Sequence, residues 1–483
     1  MSLLSDLRRT ISLHVFAALA WALVALVAGL LGELQILAGF PDAGTISYGQ
    51  LRPVFNVALI FGATTGLSLA GLYLILEKSV QWAPLAFVAF ALQQFALLLG
   101  VVFLVCGVNS GREYGEMNWI SNDLFLLSLV LVIAVVLKSL SELTAATLFL
   151  LIGLVGGAFT FFLGNLGLPY SPLLASPISA GMQDQAVQEF YRSSVLGFFV
   201  LFPLFGLLYH FVPSHFNLPI YNESAVKFQA LAMAALIPVA GGAFLALGPG
   251  PQRTATYGIT FGLALNVAIV MGAANLLYTI SRGPHRVEAD GDGKYLRWGV
   301  RLMLVLAVLR GLTLPRFMQA HVGYTSWNGR DIGFDALVLF ATAAASIAVL
   351  YSERAQGKQV SSLARTVKTF AVAGAIVMIL ANVVQGITAG YAAKSVDEAG
   401  MPLVKDFAGL LFAGNLALEA GEAVDMRYLL GFRGLFLVGY LFTLFSMILW
   451  TLCIVRIWRK SGSDYHQPDL HLPDEHVPAQ GAH

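Results

Sequence analysis

Imidazole is the side chain best suited to hold a transition metal or a haem iron inside a membrane helix, and it usually works in pairs or triplets. The chain has nine histidines. His285, His466, His471, His476 and His483 lie in a charged loop or the polar tail, leaving His14, His210, His215 and His321 in or near apolar segments. No two of those lie two or four residues apart within one segment. Retained haem would need a single axial ligand from His210, His321, Met233, Met271, Met303, Met378 or Met447. A lone membrane histidine more often packs through a hydrogen bond, and scattered methionine usually fills space.

Charge offers a second chemistry. Arg301 and Arg310 fall within one apolar run, and Asp331 and Asp335 open the next, one helical turn apart on one face. A buried arginine needs a carboxylate, because stranding it in hydrocarbon is costly. These residues are read either as an internal ion pair or as part of a polar path for protons or ions. Glu33, Lys138, Glu142, Glu189 and Arg192 lie nearer predicted helix ends, where a charged head can reach the interface. Other constellations are missing: there is no HExxH zinc motif, phosphate loop or nucleophile elbow, and Cys106 and Cys453 form no CxxC site.

The elements that must position these groups are membrane helices. Of 483 residues, 58% are apolar and 11% charged, and mean hydropathy is +0.76, far from a soluble domain with about a quarter charged residues. The net charge of +1 argues against a nucleic-acid partner. Apolar runs long enough to span recur at 13–38, 53–76, 82–107, 123–142, 144–165, 186–212, 225–247, 255–280, 295–315, 332–351, 367–391 and 430–455. This predicts an all-α polytopic membrane bundle of about 12 helices. The first run is much longer than a signal h-region and is expected to be retained.

With alternating topology, one side receives Arg8, Arg9, Lys78, Lys138, Lys227, Arg282, Arg286, Lys294, Arg297, Arg354, Lys358, Arg365, Lys368, Arg456, Arg459 and Lys460. The other receives only Arg52, Arg112, Arg253, Arg316, Arg330, Lys394, Lys405, Arg427 and Arg433. That bias predicts both termini on the cytoplasmic side. Residues 1–460 read as one membrane domain, and 461–483 as a polar, disordered tail whose histidines offer at most weak metal binding. The outer segment 392–429 is acidic, through Asp397, Glu398, Asp406, Glu419, Glu422 and Asp425. It is either a solvated loop or a dock for a basic partner. Loop 166–185 is rich in Pro and Ser.

Three stretches carry a family likeness: Arg52–Phe61 (RPVFNVALIF), Gly111–Glu116 (GREYGE), and Gly197–Pro213 (GFFVLFPLFGLLYHFVP) followed by Pro219 and Tyr221. They resemble the second helix, the outer loop after the third helix and the sixth helix of the catalytic subunit of cbb3-type cytochrome c oxidases, in the haem-copper oxidase superfamily. The resemblance implies a twelve-helix frame in a bacterial-type inner membrane. It also implies where haem and copper ligands would sit, and those positions are vacant. Phe55 stands at a haem histidine, Ser193 at a copper histidine, and Ala243 and Phe244 at the paired copper histidines. Leu247 stands at the active-site tyrosine, and Gly329 and Asp331 at the two haem histidines of the tenth helix. Arg310 stands where the family has an acidic residue.

The expectation is therefore a chain with no catalytic residues, metal or cofactor of its own. It would scaffold or dock partners in a respiratory or redox membrane complex, among other membrane subunits, a c-type cytochrome-bearing protein and lipid. The alternatives are a proton- or ion-translocating protein using Arg301, Arg310, Asp331 and Asp335, and a divergent haem-containing electron-transfer or oxygen or nitric oxide reductase subunit.

Overall fold

A computed structural model describes residues 3–38, 44–77, 79–216, 218–247, 252–282, 291–322, 369–381, 383, 437–439, 441–449 and 451–452. Among these residues, eight helices are long and apolar enough to cross a membrane. They correspond to the first eight predicted runs, with ends shifted by a few residues. The helix Gly291–Thr313 covers the ninth run, and shorter apolar helices cover Thr369–Ala381 and Leu437–Leu449. The tenth run, segment 392–429 and the tail 461–483 lie outside the described residues.

Helix is the only open-ended way for these apolar segments to satisfy their own backbone inside hydrocarbon. α1 (Leu3–Ala38) is followed by α2 (Tyr48–Asn56), a π-helical stretch (Val57–Thr64) and α3 (Thr65–Ile75), which together form one span. α4 (Ala83–Val105), α5 (Trp119–Ser139) and α6 (Ala145–Gly164) follow. The helix starts carry polar caps: the side chains of Asn118, Thr144 and Asn222 accept from Ser121, Thr147 and Ala225 backbone N–H groups. α7 (Met182–Leu196), a π-helical turn (Gly197–Leu201) and α8 (Phe202–Phe216) form the sixth span. α9 (Glu223–Ala240) passes into a 3-10 segment (Gly241–Leu247), and α10 (Gln252–Ser281) completes the eight.

The two π stretches have local causes. Pro203 has no N–H for the carbonyl of Phe199, so the helix widens just before it. In the second span, Thr64 and Thr65 donate their hydroxyls five residues back, to Leu59 O and Ile60 O, both at 2.9 Å. The stretches pack against each other. Phe61 from one and Phe199 from the other meet Phe125 and Phe161, with ring centroids 5.0–6.4 Å apart. Glycines admit these rings: a Cβ on Gly157 would lie 3.1 Å from Phe199 Cζ, and one on Gly156 would lie 2.6 Å from the Phe198 ring. Burying four phenyl groups in one cluster is worth about 1.5–3 kcal/mol each by hydrophobic transfer in water-soluble proteins. In a lipid bilayer, packing contact replaces most of that drive.

One feature departs from an all-helical reading. Loop 166–185 contains a small antiparallel hairpin, β1 (Gly167–Pro169) paired with β2 (Ala175–Pro177), with Leu168 opposite Ser176. Trp119 Nε1 donates to Ser171 O at 3.4 Å and ties its turn to α5.

Candidate functional site

Of the described ligand-like positions, Ser193 and Ala243 come together around α7 and the end of α9. Phe55 is buried on α2. Ser193, on α7, donates its hydroxyl to Ile237 O at 2.6 Å, which joins the sixth and seventh spans directly. Ala243 is fully buried in the 3-10 segment. The backbones around it are in contact: a Cβ on Gly241 would lie 2.2 Å from Glu189 O, and one on Gly258 would lie 2.0 Å from Ala243 N. The 3-10 segment is thus clasped between α7 and α10 through glycine. Phe244 belongs to that segment, but its side chain lies outside the described residues, as do Gly329, Asp331 and Asp335.

Neither haem nor copper fits these residues. The Phe55 and Ala243 side chains have no donor atom, the Ser193 hydroxyl is committed to a carbonyl, and backbone contact fills the space beside Ala243. No group of three His, Cys, Asp or Glu suited to a metal occurs among the described residues. His14 is fully buried on α1, with its ring 4.7 Å from Phe90 and 5.7 Å from Tyr73 and neither nitrogen hydrogen-bonded. His210, on α8, is half-buried beside Phe211. The two histidines stand on different spans and do not converge.

The dense polar chemistry lies one residue away on the same helices. Arg192, next to Ser193, pairs with Glu113 and, at 3.2 Å, with Glu189. Arg52 reaches Glu113 at 3.2 Å. Asn56, next to Phe55, donates to Glu116 at 2.5 Å. Arg112 pairs with Asp184 and donates to Gly164 O at 2.6 Å. Tyr191 donates to Tyr114 O at 2.8 Å and accepts from Asn165 at 3.0 Å, and Asn165 in turn accepts from Asn122 at 3.1 Å. Tyr114 holds this turn in the left-handed region, with φ 63°.

Burial pushes the Glu116 carboxyl up to about 7, against the opposing pull of the Asn56 hydrogen bond. Its Oε2 has no hydrogen-bond partner. Burial also pushes the Tyr114 phenol well above its ordinary value. The network can exchange a proton at Glu116 near neutrality, and it holds five elements in register.

This network corrects one expectation. Glu189 and Arg192 do not reach out to the interface; they are buried, at 5% and 8% exposure, because each neutralises the other and Glu113 takes the second edge of the guanidinium. A sequence signal existed in the three-residue spacing of Glu189 and Arg192 and the paired glutamates of GREYGE. Their partnership across the fold had none. Arg301 and Arg310 both lie on the helix Gly291–Thr313, Arg301 exposed and Arg310 half-buried. Nine residues turn a helix through roughly two and a half revolutions, so the two point to opposite sides.

Comparison with known proteins agrees with this frame. A family profile described as "Cytochrome C and Quinol oxidase polypeptide I" matches residues 9–291, more than half of the chain. "Cytochrome c oxidase subunit 1 homolog" of Agrobacterium tumefaciens is 25% identical over 65% of this chain and 63% of its own length. "Cytochrome c oxidase subunit 1 homolog, bacteroid" of Bradyrhizobium diazoefficiens is 28% identical over 57% of this chain and 52% of its own length. "Cbb3-type cytochrome c oxidase subunit CcoN1" of Stutzerimonas stutzeri is 24% identical over 79% of this chain and 83% of its own length. The chain thus spans about half to two thirds of the first two relatives.

Proposed function

Because the chain belongs to the cytochrome c and quinol oxidase polypeptide I family and is a polytopic membrane protein, we propose that it is a cofactor-free member that scaffolds or docks partners in a respiratory or redox membrane complex. The observation that carries this reading is the donor set at Phe55, Ser193 and Ala243, set beside an intact charge network around Arg192. Loss of ligands removes oxygen chemistry without touching the outward faces of the helices, where subunits meet. The partners it fits are other membrane subunits and a c-type cytochrome-bearing protein, and the acidic segment 392–429 is the proposed outer contact. We place the chain in the bacterial inner membrane with the more basic edge, which bears Arg8 and Arg282, in the cytoplasm.

The transport alternative needs Arg301 and Arg310 on one hydrated path, and their opposite directions on one helix speak against it. The test is isolation of the native complex in mild detergent, with a pyridine haemochrome spectrum, metal analysis and native mass spectrometry. The expected result is no iron porphyrin or copper assigned to this chain, in a particle that also holds haem-bearing subunits. Near-stoichiometric haem on this chain would overturn the cofactor-free reading. A chain that is always monomeric and drives proton or sodium flux in proteoliposomes would overturn the docking reading.

A further inference from the structure

We propose that Tyr221, Tyr278 and Arg282 form a headgroup site for an anionic phospholipid, at the membrane edge that carries the amino terminus. This goes beyond the proposed function and does not depend on it. Topology places the group: α1 starts and α3 ends on one edge, tied by the Arg8–Glu77 pair, and alternation brings the start of α9 and the end of α10 to that same edge. It is the edge with the larger share of Lys and Arg.

The site is built by the backbone. Tyr221 N–H donates to Thr279 Oγ1 at 3.1 Å, and Asn275 Nδ2 donates to Asn222 O at 3.1 Å, so the segment before α9 is stapled to the last two turns of α10. The staple sets the Tyr221 ring edge-on to Tyr278, with centroids 4.2 Å apart. Arg282 follows the last residue of α10, and its Cζ lies 5.8 Å from the Tyr221 centroid. Both tyrosines remain about half exposed, at 52% and 51%. Among the described residues no carboxylate pairs with Arg282. The contact with the Tyr221 ring holds its charge in place at the interface.

Chemistry selects the lipid. Tyrosine pairs belong at headgroup level, where an apolar ring and a wet hydroxyl are both satisfied, and a fixed guanidinium there attracts phosphate. A guanidinium already over the Tyr221 ring repels a second cation, so a choline head is disfavoured against a head with no ammonium. Below the polar end, Tyr278, Met271 and Val267 form an exposed row with spacings of seven and four on one face of α10. An acyl chain can lie along that row.

The test uses the full-length chain in nanodiscs containing equal phosphatidylglycerol and phosphatidylcholine, with mass spectrometry of the lipid retained after mild detergent extraction. Wild-type protein should retain phosphatidylglycerol in preference, and Arg282→Gln should reduce that preference about fivefold, the effect of one basic residue beside an anionic leaflet. Tyr221→Leu should reduce it in part, and Arg9→Gln, on the same edge, should leave it unchanged. No preference in wild type, an unchanged preference in Arg282→Gln, or an equal loss in Arg9→Gln would overturn the proposal. Displacement of the lipid by inorganic phosphate at matched ionic strength would also overturn it, since the site would then read only the anion. The wild-type arms decide the matter even if Arg282→Gln does not fold.

Discussion

Two neighbouring regions of this protein share helices and differ in almost everything else. Phe55 and Ser193 sit at positions with ligand-bearing counterparts in the family resemblance, and they offer no metal a bond. Asn56 and Arg192, the next residues on the same helices, belong to a charged network with Glu113, Glu116 and Glu189. One residue turns a helix by about 100°, so each helix carries both regions on different faces. The difference teaches that a packing position tolerates a change of side chain that fills the same space. A buried ion network tolerates change less, because a deletion leaves buried partners with fewer opposite charges.

The comparison can be broken first at the clasp beside Ala243. Gly258→Val places a side chain where backbone already lies within 2.0 Å, and no correctly folded protein should be recovered from membranes by fluorescence-detected size exclusion. Normal yield would mean that the helices there are not in backbone contact.

The network is next. Arg192→Met removes the guanidinium that Glu113 and Glu189 share and should cost about 3 kcal/mol, the low end for a buried pair because Arg52 still reaches Glu113, seen as a drop in thermal midpoint in detergent. Adding Glu189→Gln should recover part of the loss, and additive losses in that cycle would argue against direct coupling.

Glu116 supplies a pH signature. Its folded pKa of about 7 lies above the ordinary value of 4.5, so the native state binds the proton more tightly than the unfolded chain. The resulting stability is fully present below about pH 4.5 and is lost as pH rises through 7, about 3 kcal/mol in all. Thermal midpoints measured from pH 5 to 8 should therefore fall, and Glu116→Gln should flatten that slope. A slope that survives the substitution belongs to another group.

The smallest effect is expected at the ligand-like position itself. Ser193→Ala removes one hydrogen bond to a carbonyl that remains within its helix and should cost about 1 kcal/mol, with no change in metal content. A change in iron or copper would contradict the cofactor-free reading.

The sequence alone determined the membrane class and the first nine helical runs, because a span of hydrocarbon demands about 20 apolar residues in a row whatever surrounds them. It also carried the family likeness through RPVFNVALIF, GREYGE and GFFVLFPLFGLLYHFVP, which lie from α2 into the first π stretch, in the loop before α5 and from the π turn into α8. The pair formed by Arg310 with Asp331 or Asp335 is still a sequence expectation, since both aspartates lie outside the described residues.

Only the tertiary structure decided which charges are partners. Glu189 and Arg192 look like residues near a helix end until the loop holding Glu113 folds over them, and Tyr221 meets Arg282 through a staple between two spans. Apolar periodicity reports whether a segment is buried in lipid or protein. It says nothing about contacts between residues some 60 to 80 positions apart, which depend on how the helices pack.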